Sequence, residues 1–193
     1  MIAASYILLR FVHFTSLILL TGCASYRAIL APGEYAGRLW SRIKVCSLWA
    51  AVIAFISAVA MFAVQTILMS GETDAIWQAS VWYAVSGTRF GQAWLPVMLL
   101  ALFSVLLHCF SGRRVGLLLL TGCVVGLMFM ATTVNAASHD GGRGLVGKLG
   151  QAIHLTAAAP GSGGCLHLFR RMKQPADELD KRNAIRTRRK FYR

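Results

Sequence analysis

The stretch LLRFVHFTSLILLTG, residues 8–22, is almost wholly apolar, yet it carries Arg10 and His13 three residues apart. It sits inside a longer apolar run at 5–30, and about 20 such residues suffice to cross the hydrocarbon of a bilayer. A charged side chain at mid-depth costs roughly 2.5–3.5 kcal/mol on insertion scales, so polar residues kept there point to pairing or to a site. Read as a membrane helix, this run therefore sets the fold and raises the functional question together.

Composition extends the reading to the rest of the chain. Of 193 residues, 56% are hydrophobic and only 14% charged, with a mean hydropathy of +0.59; a soluble domain carries about 25% charged residues. Three further runs, at 45–69, 93–110 and 115–136, are long enough to span. A weaker fifth at 146–169 is broken by PGSGG at 160–164. The expected fold is all-α, a polytopic transmembrane helix bundle over residues 1–169, followed by a basic tail at 170–193.

The net charge of +13 is unevenly placed, ten of the twenty Lys and Arg falling in that tail. Basic clusters beside membrane helices mark the cytoplasmic side and its anionic lipids, so the partner is the lipid bilayer and not nucleic acid. Arg27, Arg38, Arg42 and Lys44 fall around the first loop, Arg113 and Arg114 in the third. The positive-inside rule then puts the N-terminus in the periplasm and, if the fifth segment spans, the tail in the cytoplasm. Trp77, Trp82, Tyr83 and Trp94 surround the second loop and read as an aromatic belt at the outer interface. LLTGC at 19–23 looks like a lipoprotein cleavage box, but no Lys or Arg precedes the run and Arg10 and His13 interrupt it. The same LLTGC recurs at 119–123, deep in the chain.

Three of the five histidines converge on the outer half of the membrane. At 1.5 Å per residue, His13 and His154 each lie about 12 Å below the outer ends of their segments. Met128, Thr132 and Asn135 form an i, i+4, i+7 stripe on the fourth helix, with His139 just beyond it. Arg10 shares the His13 face as a polar neighbour or gate. The seven acids all lie in loops or the tail, which disfavours Mg, Ca or Mn. Imidazole with thioether suits copper, and paired imidazoles suit haem iron. His108 and His167 lie toward the inner ends beside Cys109 and Cys165; with Cys23 and Cys46 these soft groups either continue a copper path or fill helix contacts.

LLRFVHFTSLILLTG with the following AILAP resembles the opening helix of the copper resistance protein D family. GTRFGQAW at 87–94 is similar to its motif entering the third helix, GQAIHLTAAA at 150–159 to a later helix, and AIRTRRKFYR at 184–193 to the stretch before the next one. The resemblance implies a bacterial inner-membrane protein, not an enzyme, that moves copper from periplasm to cytoplasm beside a small periplasmic copper carrier. By motif match it makes His13 and His154 functional positions, and His139 more loosely so. Two departures stand out. APGSGG at 159–164 replaces an apolar AWLGG-like run, as a local frame error would produce, and the chain stops at Arg193 where the family continues, as a truncation would. The alternative from another class is a b-type haem protein for electron transfer, with His13 and His154 as axial ligands. A fragment without ligand is the third reading.

Overall fold

The computed structural model describes residues 2–30, 33–110 and 112–134, with single positions at 150, 161, 185 and 188. Apart from those single positions, the fifth apolar segment, its PGSGG interruption and the basic tail lie outside the described residues. Helix α1 (Ile2–Ser25) ends in a π-helical turn, Tyr26–Leu30, and is followed by α2 (Gly33–Ser70). A short 3₁₀ turn, Thr73–Trp77, and α3 (Ala79–Ser86) lead into α4 (Arg89–Leu107) and α5 (Arg113–Val134). All the described elements are helical. Ser5–Ile29, Ile43–Ser70 and Arg89–Leu107 are long and apolar enough to cross a membrane, and Arg114–Met130 is a shorter apolar helix. The chain is an all-α membrane bundle.

Helix α2 begins well before the apolar run at 45–69. The stretch between contains Arg, Leu and Lys, which favour helix as well as apolar residues do, so the helix runs on past the apolar boundary. The second loop is likewise more ordered than a simple connection. Trp82 Nε1 donates to the Ile76 carbonyl at 2.9 Å, tying α3 to the 3₁₀ turn.

In the bundle, α1 packs on α2 and α5, and α4 packs on the same two helices. Small residues make this possible: Ala50, Ala51, Ala54 and Ala58 are all buried on α2, letting its neighbours approach the backbone closely. One core, toward the α3 end, gathers Leu17, Ala54, Met61, Phe62, Trp94, Val97, Leu127 and Met130. A second, toward the Tyr26–Leu30 turn, gathers Leu20, Ala24, Ala50, Leu107, Leu119 and Cys123. Ile7, Leu8, Phe11, Trp49, Ile56, Leu99 and Leu118 face outward, as lipid contact requires. The repeated LLTGC stretches meet across α1 and α5, where Leu20, Leu119 and Cys123 share one core.

Six buried hydroxyls are satisfied within their own helices. Ser16, Thr21, Ser25, Ser57, Thr66 and Ser104 each donate to the carbonyl four residues earlier, at 2.6–2.9 Å. Among the described residues only two buried side-chain polar atoms have no partner, His13 Nε2 and Arg27 Nη1.

The corner between α3 and α4 explains the GTRFGQAW motif locally. Thr88 caps α4, its hydroxyl oxygen accepting from the Gly91 N–H at 3.1 Å. Gly91 passes so close to the preceding turn that a Cβ would stand 2.6 Å from Ser86 Cα and closer still to the Val85 carbonyl oxygen. Glycine there is a condition of the corner, and the corner fixes the rotation of α4 that carries Trp94 inward.

Candidate metal site

Helix α1 turns His13 into the α3-end core, where the side chain is 0% exposed. Its Nδ1 lies 3.0 Å from the Ala54 carbonyl oxygen and 2.9 Å from Ser57 Oγ on α2. A carbonyl only accepts, and the Ser57 proton is already directed at the Ile53 carbonyl, 2.6 Å away. Nδ1 therefore carries the ring proton and shares it between the two oxygens. The consequence falls on the other nitrogen. Nε2 is left with its lone pair, buried and without a partner among the described residues.

An unmade hydrogen bond of this kind costs about 1–3 kcal/mol. The same arrangement, one nitrogen donating to a carbonyl and the other free, is how metal-ligating imidazoles are held in tautomer and orientation. The residues fit a metal ligand of the imidazole-preferring class. The described residues contain no group of three His, Cys, Asp or Glu able to hold an ion.

Trp94 builds the wall beside His13. It is 2% exposed, its ring centroid stands 5.4 Å from that of His13, and its Nε1 donates to the Ala58 carbonyl at 2.9 Å. Ala54 and Ala58 thus receive His13 and Trp94 on the same stripe of α2, where methyl side chains leave the carbonyls reachable. Phe90 stacks on Trp94 at 5.4 Å, and Phe62 links Phe90 to Trp82. The expected interfacial role of Trp94 is corrected here. Trp77 and Tyr83 are exposed around the second loop, whereas Trp94 is core. Its position four residues after Phe90, on the face opposite the exposed Leu95 and Leu99, carries the signal.

The remaining candidates are placed as follows. His139, His154 and Asn135 lie outside the described residues, as does the Thr132 side chain. Arg10 is half-buried, one turn from His13, with its guanidinium 5.9 Å from the Phe14 ring. Met128 is not brought to His13: it is 48% exposed on α5, because the buried face of that helix runs through Leu119, Cys123, Leu127 and Met130. The buried methionines of the His13 core are Met61 and Met130.

His108 makes an instructive contrast. It is 3% exposed at the C-terminal cap of α4. Its Nδ1 faces the Ser104 carbonyl at 2.7 Å and its Nε2 pairs with Ser47 Oγ at 2.9 Å. Both nitrogens are engaged, so this histidine joins α2 to α4 as a structural link. His108→Ala is expected to destabilise the bundle by about 2–3 kcal/mol, by stranding Ser47 and opening a cavity. Thermal unfolding in detergent measures the loss, and metal binding at His13 is expected to survive it. Cys46, Cys109 and Cys123 are free thiols.

Comparison with known proteins agrees with this architecture. The chain is 38% identical over 167 residues to a protein of Escherichia coli (strain K12) named inner membrane protein YebZ. That alignment covers 86% of the chain and 57% of YebZ, so the chain spans somewhat over half the length of this relative. No solved structure matches the chain. Residues 1–145 match the family described as copper resistance protein D-like, N-terminal domain, and the chain belongs to that family.

Proposed function

We propose that the chain is part of a copper-handling protein of the bacterial inner membrane that carries copper from periplasm to cytoplasm, and that His13 is its ligand in the outer half of the bundle. The observation that carries this reading is the buried Nε2 lone pair of His13, unpartnered among the described residues while Nδ1 is fixed on α2. Two likenesses support it: the family is described as copper resistance protein D-like, and YebZ is named an inner membrane protein. His154 and His139, the other candidates read from the sequence, would complete the first pair of imidazoles and capture the ion at the mouth. The basic loops set the N-terminus in the periplasm, where a small copper carrier would deliver its cargo. The role is transport and tolerance, with no chemical step on an organic substrate.

Copper here is cargo, and the residues' task is to bind and release it. A neutral imidazole held by a carbonyl and a hydroxyl suits that task, since it ligates without adding charge to a low-dielectric interior. The test is metal content and the visible spectrum of one purified sample. Copper bound at about one ion per chain, with no Soret band, is the expected result. A Soret band that disappears in His13→Ala would assign the same imidazole to a b-type haem and overturn the copper reading.

A further inference from the structure

The second unpartnered buried atom lies at the opposite end of the bundle. Arg27 sits in the π-helical turn Tyr26–Leu30, and its side chain is 9% exposed. The guanidinium carbon stands 4.0 Å from the centre of the Trp40 ring, and Nη2 donates to the Gly112 carbonyl at 2.9 Å. Gly112 has φ +125°, a backbone region open to glycine, and this conformation belongs to the turn that presents the carbonyl to Arg27. The aliphatic stem lies against Gly116 of α5, where any Cβ would come within 3.1–3.3 Å of Arg27 Cγ, Cδ and Nε. Arg27 is thus held on three sides in a slot shaped for it.

Its charge meets no counter-charge among the described residues. Nη1 is buried with no partner among the described residues, and no described carboxylate pairs with it. Lys44, one helical turn after Trp40 on α2, brings a second cation to this end, where the Trp40 and His108 rings stand 5.6 Å apart at a tilt. Arg114 stands exposed at the start of α5. A buried, hydrogen-bonded guanidinium with a free donor edge calls for an anion able to accept two parallel bonds.

We infer that Arg27, with Lys44, forms a phosphate-binding site at this end of the bundle, its ligand the phosphate of an anionic lipid headgroup or free phosphate. The observation is independent of His13 and of copper. Arginine suits planar, two-point recognition of phosphate, and the basic end of a membrane bundle is where anionic headgroups gather. Arg27 also lies in a π-helical turn, a local departure from α geometry that is frequent at functional sites.

The experiment uses the full chain in nanodiscs of phosphatidylcholine, alone or with phosphatidylglycerol, and in phosphatidylcholine discs with added inorganic phosphate. Unfolding midpoint and lipid retained in native mass spectra are read for the wild type, Arg27→Gln and Arg27→Lys. The wild type is expected to be stabilised by a phosphate source and to retain it at least about tenfold more strongly than Arg27→Gln, the loss expected when hydrogen bonds to a charged group are removed. Arg27→Lys is expected to fall between, keeping charge without the fork. Stabilisation by phosphatidylglycerol alone identifies a lipid headgroup, and stabilisation by inorganic phosphate identifies the free anion; both support the site. Equal retention by the wild type and Arg27→Lys, or no response of the wild type to either source, overturns it, even if Arg27→Gln fails to fold.

Discussion

Replacing His13 with alanine is expected to remove most of the copper bound by the purified chain, lowering affinity by more than about 100-fold, since even partners behind a ligand contribute 10–100-fold. Competition with a chromophoric chelator in detergent reads the change directly. Ser57→Ala tests the orientation argument at the same site. It leaves the Ala54 carbonyl to hold Nδ1 but removes the second acceptor 2.9 Å away, so a loss of about tenfold is expected. His154→Ala is expected to match His13→Ala, and the double variant to be little worse than either, because ligands of one ion are coupled. Copper binding that persists unchanged in His13→Ala would place the site elsewhere in the chain.

The largest effect on folding is expected at Gly91. A methyl group there meets backbone rather than a flexible side chain, with Ser86 Cα at 2.6 Å and the Val85 carbonyl oxygen nearer. Relief requires moving the α3–α4 corner, at a cost in the upper part of the roughly 1–3 kcal/mol range of overpacking, or beyond it. Gly91→Ala is therefore expected to lower the thermal midpoint sharply and to reduce the protein recovered in membranes. Gly87→Ala is the control from the same motif, since the nearest atom to its Cβ is the Ala84 carbonyl oxygen at 3.5 Å, an ordinary contact. Because the corner sets the rotation of α4, the Gly91→Ala protein that does fold is expected to bind copper less tightly through displacement of Trp94 from His13. Equal midpoints for the two variants would mean that the corner tolerates a side chain.

The spans were legible because hydropathy depends on composition alone, and runs such as 5–30 and 45–69 exceed what any soluble strand or helix needs to bury. His13 stood out for the same reason, as a polar group where lipid would not keep one. Which way each helix is turned was not legible. Trp94 looks interfacial when judged by its nearness to Trp77 and Tyr83, yet the Gly91 corner and the alanine stripe of α2 rotate it into the core. Met128 fits a stripe with Thr132 and Asn135 by spacing, but α5 buries the row that includes Leu127 and Met130 instead. The difference between His13 and His108 was also hidden. Both are histidines on apolar helices, and only the placement of Ser47 and Ser104 shows that one is satisfied at both nitrogens. Arg27 reads in sequence as one more inside charge, and neither its burial against Trp40 nor the π turn that carries it is signalled by periodicity.

The claim at the centre is that the Nε2 lone pair of His13 binds copper. Copper K-edge X-ray absorption of the copper-loaded chain, recorded for the wild type and His13→Ala at matched occupancy, addresses that bond itself. Outer-shell scattering from imidazole in the wild type, reduced by one ring in His13→Ala, is the expected result. Identical spectra from the two proteins would contradict it.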